Sequence, residues 1–530
     1  MSDHSESPAR PVSLFTVVIL LGVFAAFYFF VRSYYRPVPV SAVNAAAENL
    51  PKDLEWRATA ELTTSSIQAA PSGGDAIDAH ARGPLLTAIG LALGWLVVSG
   101  VFSLIAAIQL HSPAFLASCE MLTHGRVRAL AETSFVYGWA GGAGIASVVW
   151  ILGRLGGTPL RALSWFGAGA VFWNLGVAAG LVGIATGDMT SFSLLQLPRY
   201  VQPLLVFASA AMGMAGLLAW SGRRRDGVFA SHWYGVAGLV LFPWALTAAQ
   251  ICLLWFPLRG VLQAVGSAWY VDAVFFLWLS PLSLACAYYL VAKLSGRVLP
   301  SYEAAPLAFW MLVVVGTWSA GRHLIGGPVP AWLPTMAVVG FSLLLYHFSV
   351  AGLNLRGAFS LGGPVGGALK FGVFSYLAFG AVAFLLTFRG MALRTQFTHF
   401  STATDQLFLY GAVSMILFAA IYFLVPSLTG RQWSSAALTS GHLMGARLGV
   451  ALSVLALAAA GLSQGGMLLE AKTGFGEIAA GVRTPLLLNT AAQFVLLASN
   501  LLLLVNFWRS TCACCAGSAD GAAVAGGSAS

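Results

Sequence analysis

Charged side chains are scarce in this sequence. Lysine, arginine, aspartate and glutamate together make up 8% of its 530 residues, whereas 58% of the residues are hydrophobic. A water-soluble protein carries roughly 25% charged residues, so this composition excludes a soluble enzyme or a soluble multidomain protein. The net charge of +9 comes largely from arginines in short loops between apolar runs, a pattern of membrane proteins that does not indicate a nucleic-acid partner.

Histidine and cysteine, which commonly hold redox metals, are also few. The six cysteines lie singly or in a CACC sequence near the end, which predicts neither a disulfide framework nor a convincing cysteine metal site. Of the nine histidines, His323 and His347 are predicted to lie toward the interior of the protein. The others are predicted to lie in polar segments or near membrane surfaces: His4, His80, His111, His124, His232, His399 and His442.

Long apolar runs are abundant. A run of about 20 residues crosses the hydrocarbon core of a bilayer as a helix, and a helix satisfies its own backbone hydrogen bonds there. We therefore expect an all-α polytopic membrane protein with about thirteen spanning helices. After a first run at 13–31, spans are predicted near 85–110, 134–154, 163–187, 201–221, 232–256, 268–292, 305–320, 333–353, 368–391, 404–425, 442–465 and 486–508.

Composition divides the chain into four parts. Residues 1–32 are predicted to be an N-terminal transmembrane anchor, with a cleaved signal peptide as the alternative. Residues 33–84 are polar and predicted to be a linker, residues 85–510 form one membrane domain, and the Ala/Gly/Ser-rich residues 511–530 are predicted to be a disordered tail. Positive charge in the loops, above all at 223–225, places that side and the C-terminus in the cytoplasm.

Several polar side chains lie in or beside the apolar runs and are candidate site residues. Asp272 lies inside an apolar helix, where a carboxylate must be paired, hydrated or protonated; a proton relay and a hydrogen-bonded helix contact are both open. Tyr376 is a buried phenol that needs a partner. Arg126 and Arg128 suit an anionic group at the membrane surface, such as a lipid headgroup.

Several segments resemble subunit I of the heme–copper oxidase superfamily, most closely the cbb-type cytochrome c oxidases. LTHGRVRAL (122–130) is similar to the loop before the first low-spin heme ligand, and FPLRGVLQAVGSAWYVDAVFF (256–276) is similar to the copper-ligand helix. WSAGRHLIGGPVPAWL (318–333) is similar to the histidine-pair segment. Three further segments are similar to the late helices: YGAVSMILFAAIYFLVPSLTGRQW (410–433), LAAAGLSQGGML (457–468) and LLLVNFWRS (502–510).

The resemblance implies heme b and copper, but most ligand positions lack histidine. Histidines are expected where this sequence has Ala131, Ala268, Asp272, Arg322, Thr404 and Gln406. His323 is the member of the histidine pair that remains and is the candidate metal ligand, and Tyr376 matches the active-site tyrosine. Alanine cannot ligate a metal, and threonine and glutamine are poor iron ligands, so we expect heme and copper to be lost. Arg126 and Arg128 are then candidates for a heme propionate or a lipid headgroup.

Three functions follow from these observations. The first is a subunit of a bacterial respiratory complex with a degenerate, non-catalytic redox centre, in the inner membrane beside other subunits such as a c-type cytochrome. The second is an active terminal oxidase or nitric-oxide-reductase relative with displaced ligands. The third is a proton-conducting bundle that uses Asp272. If the metal centre is absent, the residue types suggest the hypothesis that Arg322 places a fixed positive charge where a metal would sit and is paired with Asp272.

Overall fold

The structure is a computed structural model, and it describes residues 73–223, 227–470 and 473–525. The predicted anchor at 1–32 and the linker as far as residue 72 lie outside the described residues. All regular secondary structure in the described part of the chain is helical, as expected from the apolar runs.

Twelve helices in the described part are long and apolar enough to cross a membrane. Each overlaps one predicted span, which confirms the all-α polytopic fold. They are α1 (Gly73–His111), α2 (His124–Gly156), α3 (Leu163–Thr186), α4 (Gln202–Ser221), α5 (Ala230–Trp255), α6 (Val261–Ser295), α7 (Tyr302–Leu324), α8 (Trp332–Ser360), α9 (Gly363–Leu385), α10 (His399–Thr429), α11 (Ala436–Leu469) and α12 (Arg483–Ala525). Short helices in the connections are Glu120–Leu122, Arg389–Thr395 and Phe475–Gly481.

The first helix begins earlier than the predicted membrane domain. It starts at Gly73, so the end of the segment predicted as a linker is helical. Asp78 is buried there, and its carboxylate lies 2.9 Å from the guanidinium of Arg154 and accepts a 2.9 Å hydrogen bond from the indole of Trp150, both on α2. This ion pair holds the start of α1 against α2, because a buried carboxylate is stable only with such partners.

The last helix also differs from its prediction. It continues to Ala525, so most of the segment predicted as a disordered tail, 511–530, is helical. The alanines in this segment favour a helix intrinsically, whereas its glycines and serines, on which the prediction rested, do not.

Three helices form the inside of the bundle. The most apolar stretch of α6 is 100% buried, that of α2 is 94% buried and that of α10 is 89% buried, against 28–56% for the other nine described spans. The chain returns on itself because α12 packs against both α11 and α1. The inner helices are the ones on which most of the candidate ligand positions lie.

Candidate functional site

A buried ion pair joins α6 to α7 at two of the candidate ligand positions. The guanidinium of Arg322 donates through Nη2 to Oδ1 of Asp272 at 2.8 Å and through Nη1 to Oδ2. Ser319 donates its hydroxyl to the same Oδ2 at 2.9 Å. Asp272 is fully buried and Arg322 is 7% exposed. The predicted pairing of the two residues is therefore confirmed. The ion pair is bidentate, which is among the strongest geometries for an arginine and a carboxylate.

The surroundings of Arg322 complete its contacts. Its guanidinium lies 5.8 Å from the ring centroid of Phe276 and 5.3 Å from that of Phe341, where the ring faces attract a cation. Its backbone carbonyl accepts a 3.3 Å hydrogen bond from Gln396. The positive charge is thus held on one side by a carboxylate and on others by aromatic rings.

His323 lies at the edge of this pair, not in the bundle interior. Its Nε2 is 3.3 Å from Oδ1 of Asp272, but 43% of the side chain is exposed. The prediction that His323 lies toward the bundle is therefore wrong for its side chain. The helix α7 ends here in a tight 3-10 turn, Gly316–Leu324, which turns the residue after Arg322 away from the interior.

The interior histidine, His347 of α8, has both ring nitrogens in hydrogen bonds. Nδ1 lies 2.9 Å from the backbone carbonyl of Ala308, and Nε2 lies 2.9 Å from the hydroxyl of Tyr376. A carbonyl only accepts, so Nδ1 carries the proton and Tyr376 donates to Nε2. This gives Tyr376 the partner that its burial requires, and it leaves His347 without a free lone pair for a metal.

Phenylalanine rings connect the ion pair to the Tyr376–His347 pair. Arg322 contacts Phe341, which lies 6.3 Å from Phe348, and Phe348 lies 5.1 Å from the ring of Tyr376. Four further buried rings pack in the same cluster, and Phe275 stacks on Phe408 with 4.3 Å between the ring centroids. The cluster consists of Phe275, Phe276, Phe341, Phe348, Phe379 and Phe408, none more than 4% exposed.

The remaining ligand positions do not fit a heme or a copper ion. Ala131 is buried, and Ala268 is partly buried; neither has a side-chain donor atom. The Thr404 hydroxyl donates to the carbonyl of Phe400 in its own helix at 3.1 Å, and Gln406 presents an amide. Within the described residues, no three His, Cys, Asp or Glu side chains lie together as a metal site. At these positions an imidazole is either absent or already hydrogen-bonded. The residues therefore do not offer the nitrogen ligands that a heme iron or a copper ion needs.

The backbone at these positions shares one unusual feature. The inner helices each contain a π-helical stretch: Ser134–Gly141 in α2, Val274–Leu279 in α6 and Leu407–Ser414 in α10. The stretches begin within three residues after Ala131, Asp272 and Gln406 respectively. Single-turn π segments are frequent at functional sites. Two further π stretches, Ile251–Trp255 and Met311–Val315, lie in α5 and α7.

Arg126 and Arg128 are already engaged with protein groups. Arg126 donates to the backbone carbonyls of Glu120 at 2.6 Å and Ala185 at 3.1 Å. Arg128 pairs with Glu132 at 2.7 Å. Arg126 therefore joins the start of α2 to the turn before it and to the end of α3, whereas Arg128 is paired within α2. No contact with Asp272 or Arg322 is made by either side chain.

Sequence reasoning did not find several of these partners. Glu132 follows Arg128 by four residues on one helix, a spacing that predicts an ion pair. Ser319 precedes Arg322 by one turn and lies on the same face. His442, predicted to lie near a membrane surface, is fully buried and hydrogen-bonded to Tyr422 at 2.7 Å, because α11 extends well beyond its apolar stretch.

Replacing Tyr376 with phenylalanine is expected to destabilise the protein by about 1–3 kcal/mol, because Nε2 of His347 would remain buried without a donor. The measurement is unfolding by denaturing detergent, followed by tryptophan fluorescence. Tyr346→Phe is the matched control, since this tyrosine is 38% exposed on the same helix as His347, and it should change stability by no more than about 0.5 kcal/mol. Equal effects of the two substitutions would contradict the assignment of the buried hydrogen bond.

Comparison with known proteins agrees with the resemblance. The family model described as cytochrome c and quinol oxidase polypeptide I matches residues 84–495. Cytochrome c oxidase subunit 1 of Rhodobacter capsulatus is 25% identical over 410 residues, 71% of this chain and 74% of the relative. The cbb3-type cytochrome c oxidase subunit CcoN1 of Stutzerimonas stutzeri is 25% identical over 403 residues, 70% of this chain and 81% of the relative.

A further relative and a solved structure extend the match. A protein of Bradyrhizobium diazoefficiens named cytochrome c oxidase subunit 1 homolog, bacteroid, is 23% identical over 460 residues, 81% of this chain and 82% of the relative. A heme–copper terminal oxidase dimer has a chain of the same fold, with a TM-score of 0.60 at 12% identity over 83% of this chain and 84% of that one. The family model covers most of the sequence, and the chain therefore belongs to the cytochrome c and quinol oxidase polypeptide I family.

Proposed function

We propose that this chain is an integral subunit of a bacterial respiratory complex in which the redox centre of the family is degenerate and non-catalytic. The observation that carries the proposal is the bidentate ion pair between Arg322 and Asp272. At both positions the family resemblance implies histidine ligands. A guanidinium has no lone pair for a metal, and its positive charge opposes a cation in the same place. The chain keeps the fold and uses these positions for structure.

The active-oxidase alternative requires other histidines to replace the missing ligands. One buried candidate, His347, accepts a hydrogen bond from Tyr376 and donates one to the carbonyl of Ala308. His323 is 43% exposed and its ring lies against Asp272. Ligation by either histidine would break a contact of a buried partner, which favours the non-catalytic function.

The proton-conducting alternative requires Asp272 to exchange its proton with a path through the bundle. Both carboxylate oxygens of Asp272 accept hydrogen bonds from Arg322, and the route toward Tyr376 runs through buried phenylalanine rings. A carboxylate in such a pair stays ionised, and an apolar cluster holds no continuous chain of polar groups. These contacts favour a structural role for Asp272.

The full chain, purified in mild detergent from its own membrane, is expected to contain no stoichiometric heme b or copper. Pyridine hemochrome spectra and elemental analysis measure the two groups, and oxygen consumption with a reduced c-type cytochrome measures turnover. Any residual heme signal should be unchanged in His323→Ala and His347→Phe, because neither side chain is a ligand. A stoichiometric b-type heme that is lost in one of these variants would overturn the proposal and favour a displaced-ligand oxidase.

The partner part of the proposal is tested in the same preparation. The relatives named as subunits of cytochrome c oxidase suggest that this chain works beside other subunits, and a c-type cytochrome is the partner that we propose. Covalently bound heme in co-purifying bands, detected by peroxidase staining after denaturing electrophoresis, is the expected result. The protein is also run on native gels after solubilisation in several mild detergents that differ in alkyl length. Migration as a single subunit in all of them would argue against a complex.

A further inference from the structure

A pocket between α9 and α11 opens at the surface of the bundle. It is a shallow, open depression with a volume of about 350 Å³. Its lining combines three aromatic rings with two cations. The lining residues are Phe359, Gly367, Lys370, Phe371, Phe374 and Arg447.

The two cations have no counter-charge among the residues that the structure describes. Within the described residues neither Lys370 nor Arg447 makes an ion pair or a side-chain hydrogen bond, and Nε of Arg447 is buried without an acceptor. No aspartate or glutamate occurs in 332–385 or 436–469, which form α8, α9 and α11 around the pocket. A cation inside a membrane protein is costly unless an anion or water compensates it. The two positive charges of the pocket therefore suit an anionic ligand.

A glycine brings the two cations to the same place. The guanidinium of Arg447 lies directly over Gly367, where any side chain would overlap it. Gly367 precedes Lys370 by three residues, so both face one side of α9. The two positive charges thus converge from two helices onto one pocket, and the absence of a side chain at Gly367 is what allows it.

The two cations lie nearer to the first residues of α9 and α11 than to their last residues. Lys370 and Arg447 lie roughly 10 and 16 Å along their helices from the first residues of α9 and α11, and long cationic side chains extend toward the interface from such depths. Arg356, in the last turns of α8, and Arg431, in the connection before α11, lie on the side at which α9 and α11 begin, and the charge distribution places that side in the cytoplasm. Two of the lining rings, Phe359 and Phe374, are 49% and 60% exposed at the outer surface, where acyl chains would contact them.

We propose that this pocket binds the phosphate of an anionic phospholipid. Lys370 and Arg447 neutralise the phosphate, and the phenylalanine rings contact the first part of the acyl chains. Basic pockets between membrane helices on the cytoplasmic side bind anionic headgroups through the same chemistry. The inference rests on the charges and on the open aromatic rim, and it is independent of whether the chain holds a heme.

Native mass spectrometry of the delipidated full chain tests this proposal, with phosphatidylglycerol, phosphatidylcholine and inorganic phosphate as separate probes. Phosphatidylglycerol is expected to bind in preference to phosphatidylcholine, and Lys370→Gln/Arg447→Gln should weaken its binding roughly 30-fold, as two interfacial cations contribute. The control Lys293→Gln/Arg297→Gln removes the same charge from exposed positions at the end of α6 and should leave the affinity unchanged. Gly367→Ala, which displaces Arg447 but keeps both charges, should weaken binding as well.

Four results would overturn the proposal. Equal binding of the two lipids, or equal loss in the control variant, would mean that the pocket does not select the headgroup. Inorganic phosphate that binds as tightly as phosphatidylglycerol would assign the pocket to a free anion. A carbodiimide cross-link between Lys370 and a carboxylate of another subunit, in the complex from native membranes, would assign it to a protein partner.

Discussion

Replacement of Arg322 by methionine is expected to lower the free energy of unfolding by about 3–5 kcal/mol, because the carboxylate of Asp272 would remain fully buried without its partner. The loss has two sources in the structure. Both oxygens of the carboxylate lose a donor, and the rings of Phe276 and Phe341 lose the cation between them. Unfolding by denaturing detergent, followed by tryptophan fluorescence, measures the change.

A double substitution distinguishes the stability contributed by the ion pair from the cost of leaving one buried charge unpaired. Asp272→Leu/Arg322→Met replaces both charges by apolar groups of similar size, and we expect it to be close to wild type in stability or above it. Arg297→Met removes an exposed arginine and serves as the control, with an expected change within about 0.5 kcal/mol. If the double variant is as unstable as the sum of the single variants, the two side chains act independently and the ion pair does not hold α6 against α7.

Replacement of Gly465 by alanine is expected to destabilise the protein by about 1–3 kcal/mol, through overpacking between α11 and the segment before α10. A methyl group at this position would fall on the backbone carbonyl of Arg394, and one at Gly461 would fall on the backbone of Phe400. Backbone atoms cannot move aside as a flexible side chain can, so the helix itself must shift. The displacement would be transmitted to the start of α10, which leads to Thr404 and Gln406.

The neighbouring glycine provides a control with the same chemical change. A methyl group at Gly466 would meet no atom within 4 Å, and alanine is favoured over glycine in a helix by about 1 kcal/mol. Gly466→Ala is therefore expected to leave the stability unchanged or to raise it by up to about 1 kcal/mol. The same detergent unfolding compares the two variants, and an equal response would show that α11 does not approach the backbone of Arg394 closely.

The family was accessible from the sequence because a resemblance depends on local order and spacing, as in segments 122–130 and 318–333. The resemblance also assigns positions, and it is on this basis that Ala131 and Arg322 are predicted to stand where ligand histidines are expected. It could not say what the new side chains do, since that depends on what lies opposite them.

The side-chain contacts between helices were the least predictable from the sequence. The pairing of Asp272 with Arg322 was a hypothesis from residue types, and Ser319 was not foreseen. The hydrogen bond between Tyr376 and His347 was not foreseen either, although each residue was singled out. An apolar helix with no polar stripe carries no sequence signal for its rotation about its own axis, so the faces that meet are determined only when the helices pack.

By itself, the sequence determined that this protein is an all-α membrane bundle with twelve described spans, because the length and composition of an apolar run decide locally whether it crosses a bilayer. Only the tertiary structure decided that α2, α6 and α10 form the interior, that Asp272 is paired with Arg322, and that Lys370 and Arg447 line one pocket, with Arg447 over Gly367. The physical reason is that these contacts join residues far apart in the chain. Their formation depends on helix rotation and close packing, which neighbouring residues in the sequence do not encode.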